Sequence, residues 1–88
     1  MVDFILYFTA GWCDPCKITR PIVEELNAEG SGPRFFIIDE EDSDEMIPHF
    51  QVNDIPTFIL IKDNSEIARF SGSRTRDELK ELMAYEAE

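Results

Sequence analysis

The sequence has few of the residues on which disulfide-stapled, nucleic-acid-binding and membrane-spanning proteins depend. Its 88 residues include two cysteines, one histidine and one tryptophan, and eight basic residues stand against 19 acidic ones. The net charge of −11 makes nucleic acids and anionic membranes poor partners, because their phosphates repel such a surface. The longest apolar run, Phe4 to Phe8, is too short to span a membrane. Because no basic stretch precedes this run, we expect no secretory signal. We therefore expect one cytoplasmic domain over residues 1–88.

The two cysteines, Cys13 and Cys16, are poorly placed for a purely structural role. A disulfide between them closes a loop of four residues, which the chain-entropy model values at about 2 kcal/mol. A structural zinc site usually needs four ligands, and only His49 could join the thiols without recruiting carboxylates. The pair therefore favours reversible thiol chemistry. A regulatory thiol switch, metal binding and inert thiols remain as alternatives.

Hydrophobic patterning predicts an α/β domain with the element order βαβαββα. Strands are predicted at residues 2–9, 34–39, 57–62 and 67–71. Helices are predicted at residues 13–28, after a possible cap at Ser43, and after the Thr75–Glu78 capping box. A strand, a helix and a second strand joined by short links imply a parallel pair, whereas the Asp63–Ser65 link implies a hairpin. The prediction is a four-stranded mixed sheet with helices on both faces.

The first predicted helix has an apolar face and an internal proline. We expect Pro21 to kink this helix, because proline removes a backbone donor. The glycines and proline at 30–33 should end it, and the strand that follows at residues 34–39 is predicted to be buried. The residues assigned to the apolar face of the helix are Ile18, Ile22, Val23 and Leu26.

The two cysteines stand where a buried strand gives way to the first helix. A helix N-terminus presents unpaired N–H groups and the positive end of the helix dipole, and both stabilise a thiolate. Cys13 is predicted to be the exposed nucleophile, and Cys16 the buried thiol that resolves the mixed disulfide. Asp14 and Pro15, between the cysteines, are predicted to tune the redox potential. A CxxC pair at such a junction is a strong indication of thiol–disulfide exchange.

Three segments of the sequence resemble the thioredoxin family. Residues 9–17 (TAGWCDPCK), with Pro21 after them, are similar to the active-site segment of thioredoxins. Residues 48–50 and 54–57 (PHF and DIPT) are similar to the family's Ile-Pro-Thr loop and the segment before it. Gly72 matches a family glycine near the substrate groove. These matches lie across most of the chain and imply the thioredoxin fold.

The resemblance also implies roles for individual residues. Pro56 should follow a cis peptide bond and pack beside the disulfide, where the backbone of Ile55 can pair with an extended substrate. Trp12, Ile55 and Gly72 would form the apolar rim of the groove around Cys13. The implied function is a monomeric reductase of client-protein disulfides that receives electrons from a thioredoxin reductase. It would need no metal and no cofactor beyond its own reversible disulfide.

Three features depart from the family pattern. Tyr7 occupies the position of a buried family acid, so either resolution is slower or another carboxylate takes that part; a plain core role for Tyr7 is the other reading. Asp14 replaces the usual glycine, and its charge opposes a Cys13 thiolate by on the order of 1 kcal/mol. This predicts a reducing couple, nearer about −270 mV than about −120 mV. The chain also starts at the central strand, which places it in the size range of minimal thioredoxins and glutaredoxins.

Two other functions compete with the reductase. A glutaredoxin-type enzyme would draw electrons from glutathione, and Arg74 and Arg76 could supply part of a glutathione pocket. A thioredoxin-like binding subunit would use the same groove without redox chemistry. Lys17 and Arg20 either offset Asp14 or are solvated. His49 is predicted to be exposed, and the acidic run at residues 39–45 is either solvated or a docking patch for a basic partner.

Overall fold

Four strands and three helices follow one another in the order predicted from the sequence. The computed structural model describes residues 1–42 and 45–86 of the chain. Its elements are β1 (Phe4–Thr9), α1 (Asp14–Glu29), β2 (Arg34–Asp39), α2 (Met46–His49), β3 (Thr57–Lys62), β4 (Ser65–Ser71) and α3 (Arg76–Met83). The possible helix cap at Ser43 lies outside the described residues. The predicted fold class, a mixed sheet flanked by three helices, is confirmed.

The strands form one sheet in the order β2-β1-β3-β4. β1 pairs parallel with β2 and antiparallel with β3, and β3 pairs antiparallel with β4. Asp63 and Asn64 join the last two strands with φ values of 53° and 64°, the left-handed conformation that suits a tight hairpin turn. β4 begins at Ser65, two residues before the predicted start, because this turn is so short.

The two faces of the sheet carry separate apolar cores. The α1/α3 face is covered by helices α1 and α3, and the α2 face by helix α2 and the segment that follows it. The buried residues of the α1/α3 face are Val2, Ile5, Tyr7, Val23, Leu26, Phe35, Phe58, Leu60, Leu79, Leu82 and Met83. Those of the α2 face are Leu6, Phe8, Ile38, Val52, Ile59 and Ile61. The central strands β1 and β3 are therefore buried on both sides, as their apolar runs predict.

Helix α1 begins directly after the first cysteine and ends at a glycine. Cys13 is its N-cap, and Gly30 ends it with a φ of 64°, a conformation that glycine adopts without strain. The buried face consists of Cys16, Thr19, Val23 and Leu26. The prediction that Ile18 shares this face is wrong, since Ile18 is 69% exposed. The buried residues follow Cys16 at intervals of three and four positions along the helix. Ile18, two positions after Cys16, does not fit these intervals and therefore points to solvent. The kink at Pro21 stays a prediction.

Strand β2 lies at the edge of the sheet, and it is less buried than predicted. Phe36 is 47% exposed, and its ring meets that of Phe4 edge-on at 5.3 Å. The apolar run predicts burial on both faces, but the position at the edge of the sheet leaves one face of the strand partly exposed. Asn27 of α1 makes two hydrogen bonds to the backbone of this strand. Its side-chain amide donates to the Phe35 carbonyl and accepts from the Phe35 N–H, both at 2.9 Å. Asn27 thereby satisfies backbone groups that have no neighbouring strand.

Helix α3 begins with the predicted capping box. The Thr75 hydroxyl accepts from the Glu78 N–H, and the Glu78 carboxylate accepts from the Thr75 N–H. Leu79, Leu82 and Met83 are the buried residues of this helix. Arg76 also pairs with Glu29 at the end of α1, which joins the two helices. In the described part of the chain, no helix is both long and apolar enough to cross a membrane.

Candidate functional site

Cys13 and Cys16 form a disulfide at the start of helix α1. Their Cα atoms are 5.3 Å apart, and Cys13 is held at the end of the β1–α1 link by an N–H···O bond to Ala10 of 3.2 Å. The backbone N–H of Cys16 points at the Cys13 Sγ from 3.3 Å. In the reduced protein, this N–H at the helix N-terminus can donate a hydrogen bond to a negatively charged Cys13 thiolate.

Both cysteines are buried in the disulfide form. Cys13 is 4% exposed and Cys16 is 2% exposed, so the predicted contrast between an exposed and a buried sulfur is wrong for this oxidised state. The physical reason is the contact of Ala10 and Ile55 with the pair. The Cys13 Sγ lies 3.7 Å from the Ile55 carbonyl oxygen, so this backbone group stands directly over the sulfur.

The loop before β3 brings the Ile-Pro-Thr motif against the disulfide. The Ile55–Pro56 peptide bond is cis, as the resemblance implies, and Pro56 is buried. The Pro56 carbonyl accepts from the Gly72 N–H at 2.9 Å, so Gly72 joins the same part of the molecule. Gly72 has a φ of 94°, which a residue with a side chain rarely adopts. The Thr57 hydroxyl donates to the Asp54 carbonyl and closes the turn.

Trp12 is the large exposed side chain beside the disulfide. It is 65% exposed, and its indole N–H donates to the Glu40 carboxylate at 2.8 Å. Glu40 is not distinguishable as a site residue in the sequence, because it lies in a run of similar acidic residues. The predicted parallel pairing of β1 and β2 does indicate its position. Residues that follow two neighbouring parallel strands lie close together at the carboxyl ends of those strands. The Glu40 N–H indeed donates to the Thr9 carbonyl at 2.9 Å.

Lys17, rather than Arg20, faces the charge of Asp14. The Lys17 ammonium lies 3.4 Å from the Asp14 carboxylate, with the two side chains 63% and 91% exposed. Such a pair in water is weak, so it offsets the Asp14 charge only in part. Arg20 instead donates to Asp39 at 3.1 Å and lies 3.9 Å from Glu24. Pro15 occupies the first turn of α1, where its missing N–H costs no helical hydrogen bond.

Tyr7 is fully buried on the α1/α3 face beneath the start of α1. Its hydroxyl donates to Thr9 at 3.3 Å, and the Cys16 carbonyl is 3.5 Å away. Burial raises the pKa of the Tyr7 hydroxyl above its ordinary value of 10.0. The ring stacks on Phe58 with centroids 4.9 Å apart. These contacts fit a core residue, and a phenol with a raised pKa is a poor proton acceptor near neutral pH.

The other chemistry-bearing residues are dispersed. His49 is exposed, as predicted, and its ring meets Phe50 edge-on at 4.9 Å. Within residues 1–42 and 45–86, no group of three His, Cys, Asp or Glu side chains is placed to hold a metal ion. The acidic run is described only in part, and both readings of it, a solvated segment and a docking patch for a basic partner, stay predictions.

Comparison with known proteins gives a consistent answer along the chain. The family model described as Thioredoxin matches residues 2–85. The chain is 34% identical to Thioredoxin H-type of Fagopyrum esculentum over 83 residues, which is 94% of this chain and 71% of that protein. It is 38% identical to a thioredoxin of Chlamydia muridarum over 84 residues, 96% of this chain and 78% of that protein.

Solved structures agree with the sequence comparisons. The structure of Fasciola hepatica thioredoxin matches with a TM-score of 0.81 at 34% identity, covering 92% of this chain and 77% of that one. The glutathione-dependent alternative and the binding subunit are not favoured, because the curated relatives are thioredoxins. With a CxxC disulfide at the start of its first helix, the protein is a thiol–disulfide oxidoreductase of the disulfide-reductase type, and the chain belongs to the thioredoxin family.

Proposed function

We propose that this protein reduces disulfides of client proteins, with Cys13 as the nucleophile and Cys16 as the resolving thiol. The observation that carries the assignment is the Cys16 N–H at 3.3 Å from the Cys13 Sγ. This donor at a helix N-terminus favours thiolate character on Cys13 in the reduced protein. Cys16, one helical turn further, is close enough to attack the mixed disulfide.

The proposed exchange moves two electrons in two displacements. The Cys13 thiolate attacks a client disulfide, forms a mixed disulfide and releases one client thiolate, which takes up a proton. The Cys16 thiol loses its proton, attacks the Cys13 sulfur and displaces the second client thiolate. The products are a client dithiol and the Cys13–Cys16 disulfide that the structure contains. Two electrons from a reductase return the protein to its dithiol form.

The proposed client groove surrounds Cys13. Ile55 supports this proposal by packing against the cysteine pair, and its carbonyl stands beside the reactive sulfur. Pro56 and Gly72 are tied to each other by a backbone hydrogen bond, and Trp12 offers an exposed aromatic surface next to the nucleophile. An extended client segment that pairs with the Ile55 backbone would present its disulfide to Cys13.

We also propose that residues 1–88 act as a single monomeric domain in the cytoplasm. The relatives named above are thioredoxins, and a protein that donates electrons needs a compartment in which thiols are kept reduced. A thioredoxin reductase is the proposed electron donor. The proposed reaction needs no cofactor beyond the reversible disulfide between Cys13 and Cys16.

Insulin reduction with two electron supplies tests this function. We expect turnover with NADPH and a thioredoxin reductase, and much slower turnover with glutathione and its reductase. Cys13→Ser should lower turnover to background, whereas Cys16→Ser should accumulate a mixed disulfide that mass spectrometry detects. Turnover supported by glutathione alone would contradict the proposed donor, and a Cys13→Ser variant that traps the client would reverse the two roles.

A further inference from the structure

Arg69 of strand β4 makes an extensive set of polar contacts on the α2 face. It lies opposite Ile59 of β3 in the sheet register. Its Nε donates to one Glu66 carboxylate oxygen at 2.7 Å, and its Nη2 donates to the other at 2.8 Å. This two-pronged contact fixes the plane of the guanidinium group.

The same guanidinium group reaches across to the end of helix α2. Nη2 donates to the Phe50 carbonyl at 2.9 Å, and Nη1 donates to the Gln51 carbonyl at 3.2 Å. Gln51 has a φ of 54°, a left-handed conformation that is unfavourable for a residue with a side chain. Arg69 therefore holds the chain at the point where it bends away from α2.

The segment held in this way leads directly to the proposed client groove. Residues 50–56 run from the end of α2 to Ile55 and Pro56. The far end of the segment is fastened by the Thr57 hydroxyl to the Asp54 carbonyl and by the Gly72 N–H to the Pro56 carbonyl. Arg69 fastens the near end. These contacts come from β3, β4 and the residue after β4, so the β3–β4 hairpin holds the segment at its two ends.

We propose that Arg69 is a positioning residue for client binding: it holds residues 50–56 so that the Ile55 backbone is ready to pair with a client segment. This inference rests on the proposed client groove. An exposed Glu–Arg pair alone would contribute little, but the two carbonyl contacts connect this pair to the groove segment. Among the described residues, the hydrogen bonds of Arg69 go to Glu66, Phe50 and Gln51 and not to the cysteines or Ile55. Removal of Arg69 should therefore weaken client binding and spare the chemistry of the cysteines.

Four variants separate this role from general effects of charge and folding. Arg69→Ala removes every contact, and Arg69→Lys keeps the charge but loses the planar fork that serves three acceptors at once. Glu66→Gln weakens the charged pair and leaves the carbonyl contacts in place. Arg34→Ala is the matched control, because it removes an equal charge from an exposed position on the opposite edge strand. Circular dichroism establishes that each variant is folded.

The measurements are the insulin KM and kcat, the rate with a small aromatic disulfide, and the midpoint potential. For Arg69→Ala we expect the insulin KM to rise about fivefold, which equals the effect of losing about one ordinary hydrogen bond. The kcat and the rate with the small disulfide should stay within about twofold of the values for the unmodified protein. The midpoint potential should not change. Arg69→Lys and Glu66→Gln should show smaller KM increases, and Arg34→Ala should resemble the unmodified protein.

Several results would overturn the inference. An unchanged KM in Arg69→Ala, or in Arg69→Lys if the alanine variant fails to fold, removes the positioning role. An equal KM increase in Arg34→Ala would assign the effect to net charge, and an equal loss of rate with the small disulfide would assign it to the cysteines. If the unmodified protein itself does not reduce insulin, the proposed function fails and the inference falls with it.

Discussion

The two faces of the sheet are stabilised in different ways. On the α1/α3 face, helices of 16 and 8 residues cover a core of fully buried rings and aliphatic side chains. On the α2 face, a helix of four residues and an irregular segment cover a smaller core. Arg69 and backbone hydrogen bonds fasten that segment. Stability is therefore concentrated on one face, whereas the other face carries the segment that leads to the groove.

The largest expected effect comes from the centre of the α1/α3 face. Phe58 is fully buried, stacks on Tyr7 and meets Phe35 edge-on with centroids 6.3 Å apart. Phe58→Ala should lower the free energy of unfolding by about 3–5 kcal/mol, because it removes a buried ring and leaves a cavity. Phe50→Ala on the α2 face should cost on the order of 1–2 kcal/mol. Urea unfolding measures both, and equal losses would abolish the difference between the faces.

A smaller effect is expected where α1 is joined to the edge strand. Asn27→Ala leaves the N–H and C=O of the buried Phe35 without their partner, which should cost about 1–3 kcal/mol. Asn53→Ala, at an exposed position before the groove, is the control and should stay within about 0.5 kcal/mol. If the two variants unfold at the same urea concentration, the amide of Asn27 does not stabilise the α1/α3 face.

The start of α3 should contribute about as much as a typical helix cap. Thr75→Ala removes the side-chain acceptor for the Glu78 N–H and should cost about 1 kcal/mol of the free energy of unfolding.

The hydrogen bond from the Thr75 N–H lowers the pKa of the Glu78 carboxyl below its ordinary value of 4.5. A lowered folded-state pKa gives stability that is present above pH 4.5 and is lost as the pH falls through the folded value.

Glu78→Gln should accordingly flatten the acid side of the stability profile. Thermal unfolding between neutral pH and the region below 4.5 measures the change, with Glu81→Gln on the same helix as the control. A profile for Glu78→Gln that falls as steeply as that of the unmodified protein would show that the capping box makes no contribution to acid sensitivity.

The smallest expected effect on the free energy of unfolding comes from a change beside the cysteines, outside the cores of both faces. Asp14→Asn removes a charge that opposes a Cys13 thiolate and that Lys17 offsets only in part. The midpoint potential should rise by on the order of 10–20 mV, while the free energy of unfolding stays within about 0.5 kcal/mol. Equilibration with a glutathione buffer measures the potential. A potential that falls would mean that Asp14 favours the thiolate.

Much of the fold could be predicted because the apolar runs are local signals. The bounds of β2 and β3 and the Thr75 cap follow directly from the sequence. The sequence predicts burial of Ile18 and Phe36, but both are exposed, since exposure depends on which side of a helix or strand packs against a neighbour. The burial of Cys13 has the same cause, because Ile55, far along the chain, covers it in the oxidised state.

The site was predictable in its residues and less so in its contacts. The CxxC motif and the Ile-Pro-Thr loop carry strong local patterns, which led to Cys13, Cys16, Ile55 and Pro56. Glu40 and Arg69 carry no such pattern, since an acid in an acidic run and an arginine on a strand are ordinary surface residues. Their partners, Trp12 and the carbonyls after α2, lie beside them only once the sheet has formed.

The single indole of the chain makes the protein its own optical reporter. Because Trp12 is the one tryptophan in the sequence, all tryptophan emission originates next to Cys13. Its ring is largely exposed to water and is hydrogen-bonded to one carboxylate. The emission should therefore respond to changes at the client groove and little to changes in the distant core. Fluorescence therefore follows local chemistry, and circular dichroism follows the backbone, in the same sample and without a label.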